Sequence, residues 1–116
     1  MTIAVSTNDP TVNKPVTFEM TDSSGAHVEL TVSIEGLPPI AHAFAFNEGT
    51  ITTRVPMKAG KYKCTFVIQA YKYKALNGMY ESRLTVNGQA AADAKGAIPD
   101  GRTNDVGFGD FTLTVA

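Results

Sequence analysis

The chain has 116 residues and a mass of 12.3 kDa, which fits one domain and excludes a second catalytic domain. Hydrophobic residues make up 43% and charged residues 18%, so the chain can bury a core and is not disordered as a whole. Ten basic and eleven acidic residues leave a net charge of −1, far from the basic excess of nucleic-acid-binding domains. We expect a single domain over 1–116 and no nucleic-acid partner.

The first residues contain no basic segment followed by an apolar one, and no run approaches the roughly 18 apolar residues of a membrane helix. We therefore expect no membrane association, and a protein that is cytoplasmic, virion-associated or exported by a non-classical route. The single cysteine, Cys64, cannot form an internal disulfide, so the fold does not depend on an oxidising compartment.

The charges are unevenly distributed along the chain. Residues 1–50 carry one base and six acids, whereas 51–83 carry seven bases and one acid. One interpretation is that acidic and basic strands lie side by side and pair their outward side chains. The alternative is a basic face over 51–83 that binds an anionic partner.

The first predicted elements follow from the alternation of apolar and polar residues. The runs 16–20 and 28–34 alternate, and the turn-forming residues 21–26 between them predict a hairpin. The same pattern predicts strands at 51–55 and 62–68. The alternation changes phase after Ala70, which indicates either a bulge near Ala70 or a strand end that projects beyond the sheet.

The C-terminal third contains two Asn-Gly pairs, at 77–78 and 87–88, which favour two-residue turns because both turn residues need positive φ. The second pair predicts a hairpin from 80–86 into 89–94. Residues 95–107 show no alternation and are predicted as a loop, and 111–115 form the last strand. No segment predicts a helix.

About nine short strands at this spacing predict an all-β fold, an antiparallel β-sandwich of Greek-key type. The segments 8–25, 28–32 and 59–66 together resemble the bacterial immunoglobulin-like modules of surface and phage-tail proteins. Tyr62 precedes Cys64 by two residues, like the tyrosine of the tyrosine corner in immunoglobulin-type folds. The resemblance implies an immunoglobulin-like sandwich. The chain lacks tryptophan and a second cysteine, so the disulfide-and-tryptophan core of antibody domains is absent.

Few residues are suited to catalysis. His27 and His42 are the only histidines, and Ser23 and Ser24 precede His27 in a predicted hairpin tip rather than in a strained elbow. We therefore expect no enzyme. One cysteine and two histidines do not supply a zinc site.

Oxygen-bearing side chains cluster in the predicted loop, at Asp100, Asn104 and Asp105, and calcium prefers such ligands. The run 100–111 resembles the acidic C-terminal loop of the bacterial calcium-dependent fucose- and mannose-binding lectins. That family has oxygen ligands where this chain has Gly107 and Gly109. We expect no cofactor unless calcium binds this loop, and a solvated loop is the alternative.

Two further groups of residues are candidates for ligand binding. The segment 22–25 is similar to the sugar-binding loop of the same lectins, which marks Asp22, Ser23 and Ser24. Tyr71, Lys72 and Tyr73 offer aromatic rings and charge for stacking on sugars or for a protein interface. Core packing or surface exposure without a ligand is the alternative for the tyrosines.

These candidates share a predicted location. If successive strands alternate in direction, the connections 21–26, 47–49, 72–78 and 95–107 lie at one end of the sandwich, which is our candidate site. The leading function is a non-enzymatic binding or structural module with a protein partner in a bacterial or phage surface or secretion assembly. The alternative is a small lectin with a glycan partner. We also expect homo-oligomers, because exposed edge strands and oppositely charged segments can associate between copies.

Overall fold

The computed structural model describes residues 2–5, 14–22, 27–44, 49–71, 79–97 and 104–116, a few of them at strand ends by their backbone alone. These residues form nine strands and no helix, which confirms the all-β prediction. The strands are β1 (Thr2–Val5), β2 (Lys14–Asp22), β3 (His27–Ile34), β4 (Ile40–Phe44), β5 (Thr50–Met57), β6 (Gly60–Tyr71), β7 (Met79–Val86), β8 (Gln89–Ala97) and β9 (Asn104–Val115).

The strands form two sheets, a five-stranded sheet with the order β1-β9-β6-β3-β4 and a four-stranded sheet with the order β5-β2-β7-β8. Pairings between described strands are antiparallel apart from β1 with β9, which run parallel from Thr2 beside Thr112 to Val5 beside Val115. The prediction of a wholly antiparallel sandwich is therefore wrong for this pair. The chain passes from β1 to β2 in the other sheet, so no tight turn joins β1 to β9 and the two strands can run parallel.

One hydrophobic core lies between the sheets and takes alternate residues from nearly every strand. Phe18 from the four-stranded sheet and Phe44 and Phe66 from the five-stranded sheet are its largest fully buried side chains. Burying such a side chain stabilises the fold by about 1.5–3 kcal/mol. The alternation that predicts the strands therefore also selects the core.

Strand β6 is regular over its whole length. It keeps one register with β3 as far as Tyr71 beside His27, and with β9 over all twelve of its residues. Ala70 is fully buried, in phase with the inward residues before it. The register therefore excludes a bulge as far as Tyr71, and the alternative of a projecting strand end concerns residues after Tyr71 that lie outside the described residues.

The predicted loop 95–107 is largely strand. β8 extends to Ala97 and β9 begins at Asn104, so only 98–103 lie outside the two strands. Gly107 and Gly109 hide the alternation because they have no side chain, although they occupy positions in β9 that pair with β6. A Cβ built at Gly109 would lie 3.9 Å from the Cβ of Ala92, so small residues let β8 approach β9.

The turn at Asn87 and Gly88 is the predicted two-residue hairpin turn, with φ angles of 47° and 79°. The Thr17 N–H donates to Asn87 Oδ1 at 2.7 Å, and the Asn87 N–H donates to the Thr17 carbonyl at 2.8 Å. These bonds tie the tip of the β7–β8 hairpin to β2. The other pair, 77–78, lies outside the described residues.

Tyr62 stabilises the connection between β5 and β6. Its hydroxyl donates to the carbonyl of Lys58, four residues earlier in the chain, at 2.8 Å. Its half-buried ring packs beside Gly60, which has a φ of 156°. This bond joins β6 to the connection through which the chain changes sheets.

We predict that Tyr62→Phe lowers the free energy of unfolding by about 1 kcal/mol, because the ring is kept and one hydrogen bond is lost. Urea unfolding followed by circular dichroism measures the change. Lys58→Ala is the control: it keeps the acceptor carbonyl and is expected to shift stability by less than about 0.5 kcal/mol. An unchanged Tyr62→Phe midpoint, or an equal loss in both variants, would contradict the prediction.

Candidate interaction surface

The strand ends that flank four connections lie at one end of the two sheets. In the five-stranded sheet, Tyr71 pairs with His27 on one side and with Asn104 on the other. In the four-stranded sheet, Asp22 pairs with Ser82. This register confirms the predicted arrangement of strand ends. The connections concerned are 23–26, 45–48, 72–78 and 98–103.

Apart from Asp22, the predicted site residues fall into two groups. Tyr71 ends β6, and Asn104 and Asp105 begin β9, where Tyr71 pairs with Asn104 and Ala70 with Asp105. Asn104 and Asp105 were predicted in a loop and are strand residues instead, because β9 extends back to the end of β6. The other group lies outside the described residues: Ser23, Ser24, Lys72, Tyr73 and Asp100.

Asp22 belongs to the core side of its sheet. Its side chain is only 7% exposed, and its N–H donates to the carbonyl of Gly49 at 2.9 Å. Ser82, beside it in the register, is 1% exposed, and its hydroxyl has no hydrogen-bond partner among the described residues. Asp22 continues the inward phase of Phe18 and Met20, so it forms a polar end to the core.

Metal-binding side chains do not converge in the part of the chain that the structure describes. No group of three or more histidine, cysteine, aspartate or glutamate side chains occurs there. His42 is half-buried on β4 and packs edge-on against Phe44, with the ring centroids 4.8 Å apart.

The basic residues of 51–83 divide between the two outer faces. Lys61 and Lys63 are exposed on β6 of the five-stranded sheet, whereas Arg54 and Arg83 are exposed on the four-stranded sheet. Arg54 and Arg83 lie on the strands on either side of β2, which carries Glu19. Among the described residues, this placement favours neighbouring opposite charges over one basic face.

Two large apolar side chains are exposed on β9. Phe108 is 77% exposed and Val106 is 57% exposed, and no other large hydrophobic residue is exposed among those whose side chains the structure describes. Both lie on the outer face of the five-stranded sheet, with Phe108 beside the half-buried Val67 of β6. We call Val67, Val106 and Phe108 the outer patch.

Polar residues border the outer patch. Gln69 pairs with Val106, and Thr31 of β3 pairs with Val67. The hydroxyl of Thr65 donates to Asp110 Oδ1 at 2.8 Å on the same face. An apolar centre with a polar rim is the anatomy of a protein interface.

Phe108 and Val106 are not among the predicted site residues, because Val106 falls in the predicted loop 95–107 and Phe108 falls between that loop and the predicted strand 111–115. The signal was nevertheless present. Phe111 and Leu113 are buried, and extending their phase backwards passes through Gly109. The residues between these positions must then face outward.

The sequence matches no protein-family model and no curated protein. In the described part of the chain there is no helix long and apolar enough to cross a membrane. The functional interpretation therefore depends on the geometry of the strands.

Cys64 is shielded from solvent. It is 2% exposed, and its Sγ lies 3.8 Å from the carbonyl of Tyr62. Burial raises the pKa of the thiol from its ordinary 9.0 to about 11, and the negative charge of Glu35 contributes. The thiol is therefore neutral and unreactive at neutral pH.

We predict that Cys64 makes folding stability depend on alkaline pH. In the unfolded chain the thiol ionises near pH 9, whereas in the folded protein it stays neutral until about pH 11. Its contribution is therefore complete below pH 9 and is lost as the pH rises towards 11. Urea unfolding across this range should show a steeper decline for the wild type than for Cys64→Ala. Equal slopes would contradict the prediction.

Proposed function

We propose that this chain is a non-enzymatic module that binds a protein partner through the outer patch. The observation that carries the proposal is the exposure of Phe108 and Val106 side by side on a regular strand. Removing apolar surface from water is favourable by about 25 cal/mol per Å². Contiguous exposed apolar residues on a rigid sheet therefore favour association with another surface.

The proposal includes an immunoglobulin-like sandwich of Greek-key type. The order β9-β6-β3-β4 would correspond to strands G, F, C and C′, and the β2–β5 pair to strands B and E. Tyr62 lies two residues before Cys64, and its hydroxyl donates to the carbonyl of Lys58. This bond supports the correspondence, because in a tyrosine corner the hydroxyl likewise bonds to the backbone a few residues earlier in the chain. The β7–β8 hairpin would be an insertion between strands F and G.

The resemblance of 8–25 and 59–66 to bacterial immunoglobulin-like modules suggests the setting in which the module works. We propose a bacterial or phage surface or secretion assembly. Modules of this kind need a stable scaffold and one adhesive face, and the outer patch supplies such a face.

Carbohydrate binding is the second candidate function. The shared end of the strands favours it, because Tyr71, Asn104 and Asp105 begin or end neighbouring strands there. Loops on a rigid sandwich commonly carry binding sites. The connections at this end contain Ser23, Ser24, Lys72, Tyr73 and Asp100, with Asp100 as a candidate calcium ligand.

We predict that Phe108→Asp abolishes capture of the protein partner. The wild type, Phe108→Asp and the control Thr52→Asp serve as baits, and mass spectrometry identifies what each retains. Thr52 is exposed on the outer face of the other sheet. A central apolar anchor is worth about 2 kcal/mol or more, so recovery should fall at least about tenfold with Phe108→Asp only.

Once the partner is purified, we expect it to bind the wild type and Thr52→Asp with equal affinity. Retention of the partner by Phe108→Asp would contradict the proposal, as would the absence of any protein enriched by the wild type.

A glycan array, run once with calcium and once with a chelator, tests the second candidate. Binding that disappears with the chelator would favour a calcium-dependent lectin and point to 21–26 and 95–107. Binding in both conditions would point to Tyr71 and Tyr73. A blank array in both conditions would favour the protein-binding function.

A further inference from the structure

The first part of β9 has an open edge. β1 pairs only with residues from Thr112 onward. Within the described residues, 104–111 pair with β6 on one side and have no strand on the other. A strand without a neighbour presents a row of unpaired backbone N–H and C=O groups.

The other sheet edges are protected in ways that this one is not. β4 has only five residues. β5 carries Arg54 and Pro56, and the pairing of β8 has a register shift opposite Leu84 and Thr85. Short length, charge, proline and bulges all discourage the addition of a further strand. The segment 104–111 carries the charges of Asp105 and Asp110, but it contains no proline, keeps a regular ladder with β6 and carries Val106 and Phe108.

We infer that this edge binds the same edge of a second copy of the chain, antiparallel, with the two-fold axis at Gly107. The inference rests on the proposed protein-interaction function and names the partner. The two five-stranded sheets would join into one continuous sheet of ten strands.

The edge is complementary to itself in this register. With Gly107 opposite Gly107, Val106 lies opposite Phe108 of the second copy, and this apolar pair occurs twice. Asp110 lies opposite position 104, so no two acidic residues face each other. A shift by two residues would instead place Val106 opposite Asp110 in one direction, and Phe108 opposite Asn104 in the other. The outward residues therefore favour one register.

Gly107 lies at the axis of the inferred dimer. A Cβ built at this position would meet no atom within 4 Å, and the glycine itself has none. The two glycines therefore leave the inward face of the joined sheet free of side chains at the axis. The outer patches of the two copies then become one apolar surface, with Val106 and Phe108 at its centre.

The oligomeric state tests the inference. Analytical ultracentrifugation over a concentration series should show a monomer–dimer equilibrium for the wild type and for the control Ala41→Lys, which charges the exposed edge strand β4. The double variant Val106→Lys with Phe108→Lys should remain monomeric at every concentration. Circular dichroism and the melting temperature check that each variant is folded. A dimer that survives the double substitution overturns the inference.

Cross-linking tests the register. Gly107→Cys and Gly109→Cys change the same residue type on the same face of β9, and both have room for a Cβ. In the inferred dimer the two 107 positions lie opposite each other, with Cβ atoms about 4.5–5.5 Å apart, close to disulfide range. The two 109 positions are four residues apart along the strands, about 13 Å.

Diamide oxidises two thiols to a disulfide and takes up the hydrogen that each thiol loses. It should therefore give covalent dimers of Gly107→Cys only. The wild type controls for the buried Cys64. Equal cross-linking of both variants overturns the register. A wild type that is monomeric at every concentration overturns the inferred dimer. It leaves the proposed protein-binding function standing if affinity capture still recovers a partner through Phe108. The two proposals can therefore fail separately.

Discussion

Strand β6 constrains the whole five-stranded sheet, because it pairs with β3 on one side and with β9 on the other without a break in register. Its inward residues Cys64, Phe66, Ile68 and Ala70 are all buried. A slip of one residue would expose all four and turn the outward residues Lys63, Thr65 and Gln69 towards the core, which costs far more than a domain of this size can lose. The register of its neighbours is therefore fixed by the core.

The same constraint decides which residues of β9 face solvent. Phe66 pairs with Gly109 and Ile68 with Gly107, so both glycines take inward positions. At Gly109 the space is taken up by Ala92 of β8, whose Cβ would lie 3.9 Å from a Cβ built on the glycine. Phe108 is left on the outward phase. Its exposure is thus a consequence of the ladder that holds the sheet together, and it cannot turn inward without a register slip.

Much of the fold could be predicted from the sequence, because strands with one buried face alternate in hydropathy. The pattern predicts β2, β3 and most of β6, and the Asn87 turn follows from the need for positive φ. The parallel pairing of β1 was not predictable, since alternation says nothing about which distant strand lies beside it. The start of β9 was missed because glycine carries no hydropathy signal.

The candidate site was less predictable than the fold. Asp22 was selected as a turn residue, yet the inward phase of β2 extends to it and it is buried. Asn104 and Asp105 were selected as loop ligands, yet both pair with β6. Residue types that favour loops and ligands also occur at strand ends, and only the length of the neighbouring strand decides between the two. Predicting that Phe108 is exposed requires knowing which residues of β9 face outward. That is decided by the pairing of β9 with β6, which lies far away in the chain.

Strand β9 separates stability from adhesion along one segment. Its second half carries the buried Phe111, Leu113 and Val115 and is covered by β1 from Thr112 onward. Its first half has glycines on the inward side, apolar residues on the outward side and, among the described residues, an open edge. Because few core contacts depend on the first half, a partner strand can be gained or lost there at little cost to the core. A single strand therefore supports both a fixed scaffold and a changeable interface.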